Sequence, residues 1–338
     1  MNLLKVFSVL LILFLPFSNA FAGKERFVQI NWHFDLNAPK EAKIVRLWIP
    51  YPISNTHQTI SDIEIKGNFD YSGVYTENNY SVPILYLEWR GPKEKREANF
   101  NFKVKRKEAI TKNFPKKEYP LSTIEHAKFL SSHQSLPISP KVRELALKIT
   151  KDEKTVLGKA RAIYNWIVNN MRRDPQVKGC GLGEVDKLLV SLGGKCADIH
   201  AVFVSLARAA GVPAREIYGI RIPQGKEGDM TKAQHCWAEF YLPNYGWVVV
   251  DPADVLKAKL EKNPSPEELE KIKEYFFGAV DESRIAFNIG RDLILNPPQK
   301  GEPLIYFMYP YAEADGVVLN EDLFGFNLGW KITFKEIK

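Results

Sequence analysis

From residue 24 onward, hydrophobic and polar positions alternate. In "FVQINWHFDL", Val28, Ile30, Trp32, Phe34 and Leu36 fall on one face, and Gln29, Asn31, His33 and Asp35 on the other. "NFNFKVK" repeats the pattern with Phe100, Phe102 and Val104. Shorter segments at 45–49, 63–65 and 84–89 are separated by Pro, Gly and Asn turns. A period of two bounded by turn residues predicts strands. A run of such strands predicts an antiparallel β-sandwich over residues 23–110.

The stretch 111–139 is rich in Pro, Lys and Ser and reads as a connector. Beyond it the period lengthens. Ser139 is placed to cap a helix with Pro140 at its first position, with Val142, Leu145 and Ile149 along one face. A second helix starting near Asp152 or Thr155 carries Leu157, Ala160, Tyr164, Ile167 and Met171. A third starts at Cys196 with Ile199, Val202, Phe203, Leu206 and Ala210 as its buried stripe, and ends at Gly211 before Pro213. Strands are predicted at 215–222, 235–242 and 247–251, a charged helix near 266–277, and further strands at 293–295, 304–308 and 330–337. Helices followed by antiparallel strands predict an α+β domain over residues 140–338, ending in a β extension. No internal repeat is visible.

A length of 338 residues allows two domains, and 45% hydrophobic with 26% charged content is ordinary for a globular chain. The first 22 residues stand apart: Lys5, an apolar run from Val6 to Phe17, then Ala20-Phe21-Ala22. That is the pattern of a secretory signal peptide cut after Ala22, the run being short for an uncleaved membrane anchor. No cysteine follows the cut to carry a lipid, and no later stretch is apolar enough to span a bilayer. The expectation is a periplasmic or extracellular protein without stable membrane insertion. The net charge of +7 suits work near anionic envelope material. The basic residues are dispersed apart from "KVKRK" at 103–107, which reads as a solvated strand end, so nucleic-acid binding has no support.

The candidate chemistry begins at "GGKC". A cysteine in the first turn of a helix faces unpaired N–H groups and the positive end of the helix dipole, both of which favour thiolate. Gly193-Gly194 would let the chain turn sharply and a substrate backbone approach, and the Cys196 amide could hold a developing oxyanion. Asp198 adds an opposing negative charge, so a partner base is required. His235 opens "HCWAEFYLPNYGWVVVDPAD", two strands around a Pro-Asn-Tyr-Gly turn. A hairpin centred on Pro243 would set His235 opposite Asp251. An aspartate on one imidazole nitrogen fixes the tautomer and leaves the other to take the cysteine proton. The three roles make a Cys196, His235, Asp251 triad.

Gly194-Lys195-Cys196, His235-Cys236-Trp237-Ala238-Glu239, Gly246-Trp247 and Asp251-Pro252 resemble, in order and in helix or strand context, the motifs of the transglutaminase-like superfamily. The resemblance covers about residues 140–255 and implies a papain-like α+β core. The tail "FGAVDESRIAFNIGRDLIL…YPYAEADG" is similar to that of exported bacterial members, as is an N-terminal sandwich. It implies Cys196 as nucleophile, His235 as general acid/base and Asp251 as its orienter. The expected activity is acyl transfer on amide bonds of a protein or peptide in the cell envelope, through a thioester resolved by water (peptidase or amidase) or by an amine. The rival expectation is a non-catalytic binding or assembly module, favoured if the tail strands plug the cleft. Papain-like enzymes carry an oxyanion glutamine shortly before the cysteine; here that region reads "KLLVSLGG". Trp166 lies in an amphipathic helix and reads as core.

No cofactor and no metal are expected. His200, one turn after Cys196, lacks a paired-ligand spacing with Cys180 or Cys236 and reads as a helix-edge histidine. No spaced Asp/Asn loop for calcium is present. An oxidising compartment would permit a Cys180–Cys236 disulfide, but Cys236 lies on the core face with Ala238, Phe240 and Leu242 and reads as a buried free thiol. Trp237 and Glu239, on the His235 face, are expected to line the cleft, or Trp237 to pack over the histidine as a lid against water. His33, His57, His126 and His133 carry no arguable chemistry. Oligomeric state is not legible.

Overall fold

The computed structural model describes residues 23–337. The expected signal peptide lies outside the described residues, among which no helix is long and apolar enough to cross a membrane.

Strands β1 (Glu25–Asp35), β2 (Ile44–Pro50), β3 (Gln58–Gly67), β4 (Tyr71–Thr76), β5 (Pro83–Arg90), β6 (Glu97–Lys107) and β7 (Ala109–Ile110) come first. After the segment 111–139 follow α1 (Pro140–Thr150), α2 (Val156–Asn170), β8 (Arg172–Arg173), α3 (Val185–Ser191), β9 (Gly193–Gly194) and α4 (Cys196–Ala209). Then come β10 (Ala214–Arg221), β11 (Glu227–Asp229), β12 (Gln234–Leu242), β13 (Gly246–Val250), α5 (Pro252–Lys262) and α6 (Pro266–Phe276). The chain ends with β14 (Ala279–Val280), β15 (Arg284–Ile289), β16 (Tyr311–Ala314), β17 (Val317–Val318) and β18 (Trp330–Glu336).

The fold is mixed α+β. One five-stranded sheet runs β11-β18-β1-β6-β3 and another β17-β16-β2-β5-β4; a four-stranded sheet runs β13-β12-β10-β15. All their pairings are antiparallel. The alternating residues of β1 are buried as the pattern requires, and Trp32 sits between Phe100 of β6 and Ile332 of β18. Buried residues of β1 and β6 share one core with those of β2 and β5. The two five-stranded sheets are not contiguous in the chain. The C-terminal strands β16, β17 and β18 belong to them, because Trp330, Ile332 and Phe334 need a covered apolar face and β1 offers an unpaired edge beside it.

Helix starts follow local chemistry. Ser139 Oγ accepts the Val142 N–H at 3.3 Å, and Thr155 Oγ1 accepts that of Gly158 at 3.0 Å. The expected tail strands at 293–295 and 304–308 reduce to a single bridge between Leu293 and Leu304. Pro297, Pro298 and Pro303 remove donors from the intervening chain, so no ladder can propagate. The helices α3 and α5 were not expected. Helix α4 packs against β10 and β12, and also against α1, α2, α3 and α5. It is therefore buried on all sides from Cys196 to Arg208, rather than along one stripe.

Candidate active site

Cys196 is the first residue of α4, and its surroundings are fixed by Asp198 two residues on. Asp198 Oδ2 accepts the Lys195 N–H at 3.0 Å and Oδ1 the Gly183 N–H at 2.9 Å, tying the helix start to the 180–183 loop. The Ala197 N–H bonds the Cys180 carbonyl at 3.0 Å. Gly193 and Gly194 do not form a sharp turn; they run extended in β9, parallel to β8. Gly194 is required because a Cβ there would come within 2.5 Å of Asp198 Cβ.

Three free, buried thiols meet here: Cys180, Cys196 and Cys236. Cys196 is held well below an ordinary thiol. Hydrogen bonds from Cys180 and Cys236 contribute most, the hydrogen bond and charge of His235 add to them, and burial opposes. Cys180 is pushed well up by its hydrogen bond to Cys196 and by burial, and Cys236 by burial and then by Cys196. The neighbours stay protonated while Cys196 ionises.

His235 Nε2 lies 2.9 Å from Asp251 Oδ2, which leaves Nδ1 for the thiol. The hairpin that brings them together is centred on Asn244, not Pro243: Leu242 pairs with Gly246 and Ala238 with Val250. Continuing that register puts Asp251 across from Trp237, two residues from His235. The offset is absorbed not by a bulge but by α5, since Asp251 leaves the strand as the cap of that helix. Its Oδ1 accepts the Asp254 N–H at 2.9 Å, with Pro252 in the first turn. Asp251 is thus pinned by the helix it starts, with both oxygens aimed at the site.

Those oxygens serve four groups. Oδ1 also lies 3.2 Å from Nε2 of His200, whose Nδ1 is 3.4 Å from Cys236 Sγ. Oδ2 is bound by Arg284, a fully buried guanidinium that also pairs with Asp254 at 2.6 Å and Asp281 at 3.1 Å. Arg221 pairs with Asp254, and both guanidinium groups come within 3.0 Å of His235 Nε2. Burial pushes Asp251 up, but Arg284, His235 and His200 hold it well below the carboxylate range. Burial and Arg221 push His235 down, yet Asp251 and Asp254 outweigh them and its value is raised above 6.5. Two guanidinium groups against three carboxylates leave one negative charge in excess, and an imidazolium at 235 balances it.

Cys196, His235, Gln234 and Asp254 line one cavity of about 390 Å³, with Tyr309 and Phe326 contributed by the tail. Its mouth carries Arg173, Lys195, Lys232 and Lys257. Trp237 and Glu239 do not line it. They face a second cavity of about 540 Å³, lined also by His57 and Arg106 of the N-terminal region, where Glu239 pairs with Arg215 at 2.7 Å. His235, Asp251 and Asp254 offer ligand atoms within 4.8 Å of one another. Arg221 and Arg284 bind Asp254 Oδ2, and Arg284 also binds Asp251 Oδ2, while Asp254 Oδ1 has no hydrogen-bond partner among the described residues.

The three residues expected to act together therefore gather in one place. His200 is not a helix-edge residue: it is fully buried on Asp251, because α5 covers that side of α4. Its position one turn beyond Cys196 was the only sequence signal. Arg284 and Arg221 had none.

The family model for the transglutaminase-like superfamily matches residues 143–252, a span holding Cys196, His235 and Asp251. An uncharacterized protein of Haemophilus influenzae is 35% identical over 316 residues, 85% of each chain. The chain belongs to the transglutaminase-like superfamily. The Bacillus subtilis protein YebA is 28% identical over 212 residues, which are 59% of this chain and 26% of YebA. Among solved structures, a candidate cysteine protease from Cytophaga hutchinsonii superposes with a TM-score of 0.56 over 92% of this chain and 98% of its own, at 14% identity. That likeness extends the shared fold beyond the core matched by the family model, across most of the chain.

Proposed function

We propose that this member of the superfamily is a cysteine-dependent hydrolase of amide bonds. The observation that carries the reading is geometric: Cys196 at the head of α4 and His235 line one cavity, and Asp251 Oδ2 lies 2.9 Å from His235 Nε2. In an unassisted pair the proton would sit on sulfur; the surroundings pull Cys196 down and His235 up, which favours its transfer to nitrogen. The Cys196 thiolate attacks the amide carbonyl carbon, and the C–N bond breaks as His235 passes its proton to the leaving nitrogen. A thioester remains. Water then attacks it, His235 takes the water's proton, and the C–S bond breaks to regenerate the thiolate. Asp251 holds the ring and offsets the imidazolium charge throughout.

A binding module would be favoured by a cleft plugged by its own tail. Tyr309 and Phe326 line the cavity and leave about 390 Å³ open, so the hydrolase reading is preferred. We read the two five-stranded sheets as a β-sandwich closed by the C-terminal strands, and the basic surface and leader-like N-terminus as those of an exported envelope protein acting on peptides. The test is labelling with iodoacetamide beside turnover of an amide substrate library by wild type and Cys196→Ala. Cys196 should alkylate far faster than Cys180 and Cys236, and the variant should lose all turnover. Equal labelling of the three thiols, or a variant as active as wild type, would end the reading.

A further inference from the structure

One buried polar side chain in the cavity has no hydrogen-bond partner among the described residues. Gln234, the residue before His235, is 7% exposed, and both its Oε1 and its Nε2 lack any hydrogen bond. Its main chain is engaged: the strand pairs it with Ile220, and its carbonyl lies 3.2 Å from Cys180 Sγ. Only the carboxamide is idle. Buried amides in folded proteins are nearly always satisfied, since leaving both ends unmet in place of water is costly. An idle carboxamide nine-tenths buried in a cleft is therefore the mark of a group that meets its partner in a complex.

Its direction is set by the strand. Alternation along β12 places Gln234 on the face of Cys236, which packs against His200 of α4. That is the face carrying the start of α4, and Gln234 lines the same cavity as Cys196 and His235. The Cys196 N–H, at the first position of the helix, has no acceptor within the helix by geometry. Two residues from different elements, each with an N–H donor, thus line the cavity that holds the thiol. The region ahead of Cys196, "KLLVSLGG", holds no glutamine that could do this work.

We infer that Gln234 is a catalytic residue that receives the substrate amide. Its Nε2–H₂, with the Cys196 N–H, donates to the carbonyl oxygen as it becomes an oxyanion, and its Oε1 accepts an N–H of the same substrate. The inference rests on Cys196 being the nucleophile and adds the group that stabilises the charge developed by its attack.

Two electrophiles separate these claims. p-Nitrophenyl acetate acylates a thiolate through a tetrahedral oxyanion and releases one p-nitrophenolate per site. Iodoacetamide alkylates the same sulfur by displacing iodide, with no oxyanion formed. In Gln234→Ala the acylation burst should slow about 100-fold or more, while alkylation of Cys196 stays within about twofold of wild type. Gln234→Met, which keeps length and burial without a donor, should match Gln234→Ala. Equal slowing in both reactions would make Gln234 a support for the thiolate, and unchanged acylation would make it a bystander; either result overturns the inference. If wild type reacts with neither reagent at Cys196, the hydrolase reading itself has failed.

Discussion

Asp251→Asn is the substitution that tests the charge arrangement most directly. Asparagine keeps the shape and an oxygen for the Asp254 N–H, but removes one buried charge whose Oδ2 lies 2.9 Å from His235 Nε2. Unit charges about 4 Å apart at an effective dielectric constant of about 20 interact by about 4 kcal/mol, which is roughly three pKa units. With Asp251 gone, Arg221 and Arg284 offset Asp254 and Asp281, and the largest attraction that holds a proton on the imidazole is lost. His235 then falls below its ordinary 6.5, from a wild-type value above it. The thiolate loses its cation, and Cys196 moves up, although the hydrogen bonds from Cys180 and Cys236 still pull it down. The readout is the alkylation rate of the Cys196 peptide by iodoacetamide, followed by mass spectrometry from pH 5 to 10. Wild type should react on a plateau that extends well below pH 9, because its thiol is already ionised there. The variant should be about 10-fold slower near pH 6, since only the His235 share of the thiol's depression is lost, and rejoin wild type near pH 10, where any thiol is ionised. Superimposable profiles would refute the claim that Asp251 sets the protonation of this pair.

Two further outcomes follow from the same cluster and its rim. Arg284→Met keeps much of the side-chain volume but leaves Asp251 and Asp254 buried without their shared cation. Urea unfolding should show a loss of about 3–5 kcal/mol, the cost of breaking a buried pair from one side, and a loss below about 1 kcal/mol would show that the carboxylates do not depend on it. At the cavity mouth, Arg173, Lys195 and Lys232 have no carboxylate partner among the described residues. The rate ratio of iodoacetate to iodoacetamide at Cys196 should exceed that of a free small-molecule thiol by about tenfold at low salt and decline toward it by 0.5 M NaCl; a ratio indifferent to salt would remove electrostatic steering.

Much of the architecture was legible because it is local. The alternation through β1 and β6 and the Ser139-Pro140 start of α1 each announce an element within a few residues. So does the cysteine at the head of α4. What a period of two cannot announce is the partner. Nothing in "WKITF" says that β18 closes a sheet beside a strand some 300 residues earlier, since any covered apolar face would satisfy its pattern. The α5 helix shows a different failure. Asp251-Pro252 carries a helix-start signal, an Asp cap followed by Pro in the first turn, but the same dipeptide also closes a strand. The strand before it was the stronger pattern.

That ambiguity bears on the site itself. The aspartate of the triad is held in place because it ends β13 and begins α5 at once: the strand sets its distance from His235, and the helix N–H sets the angle of its carboxylate. Centring the hairpin on Pro243 placed it two residues out of register, and reading it only as a strand end hid the helix that buries His200. The protonation of the pair lies further still from any local pattern. It depends on Arg221 at the end of β10, Arg284 at the start of β15, and Asp254 and Asp281 between them, none within ten residues of His235. A sequence motif can thus name the nucleophile and its base while remaining silent on which of them carries the proton. In this chain that is decided by three acids against two bases around the ring, of which Asp251, Asp254 and Arg284 are buried and Arg221 and Asp281 half-buried.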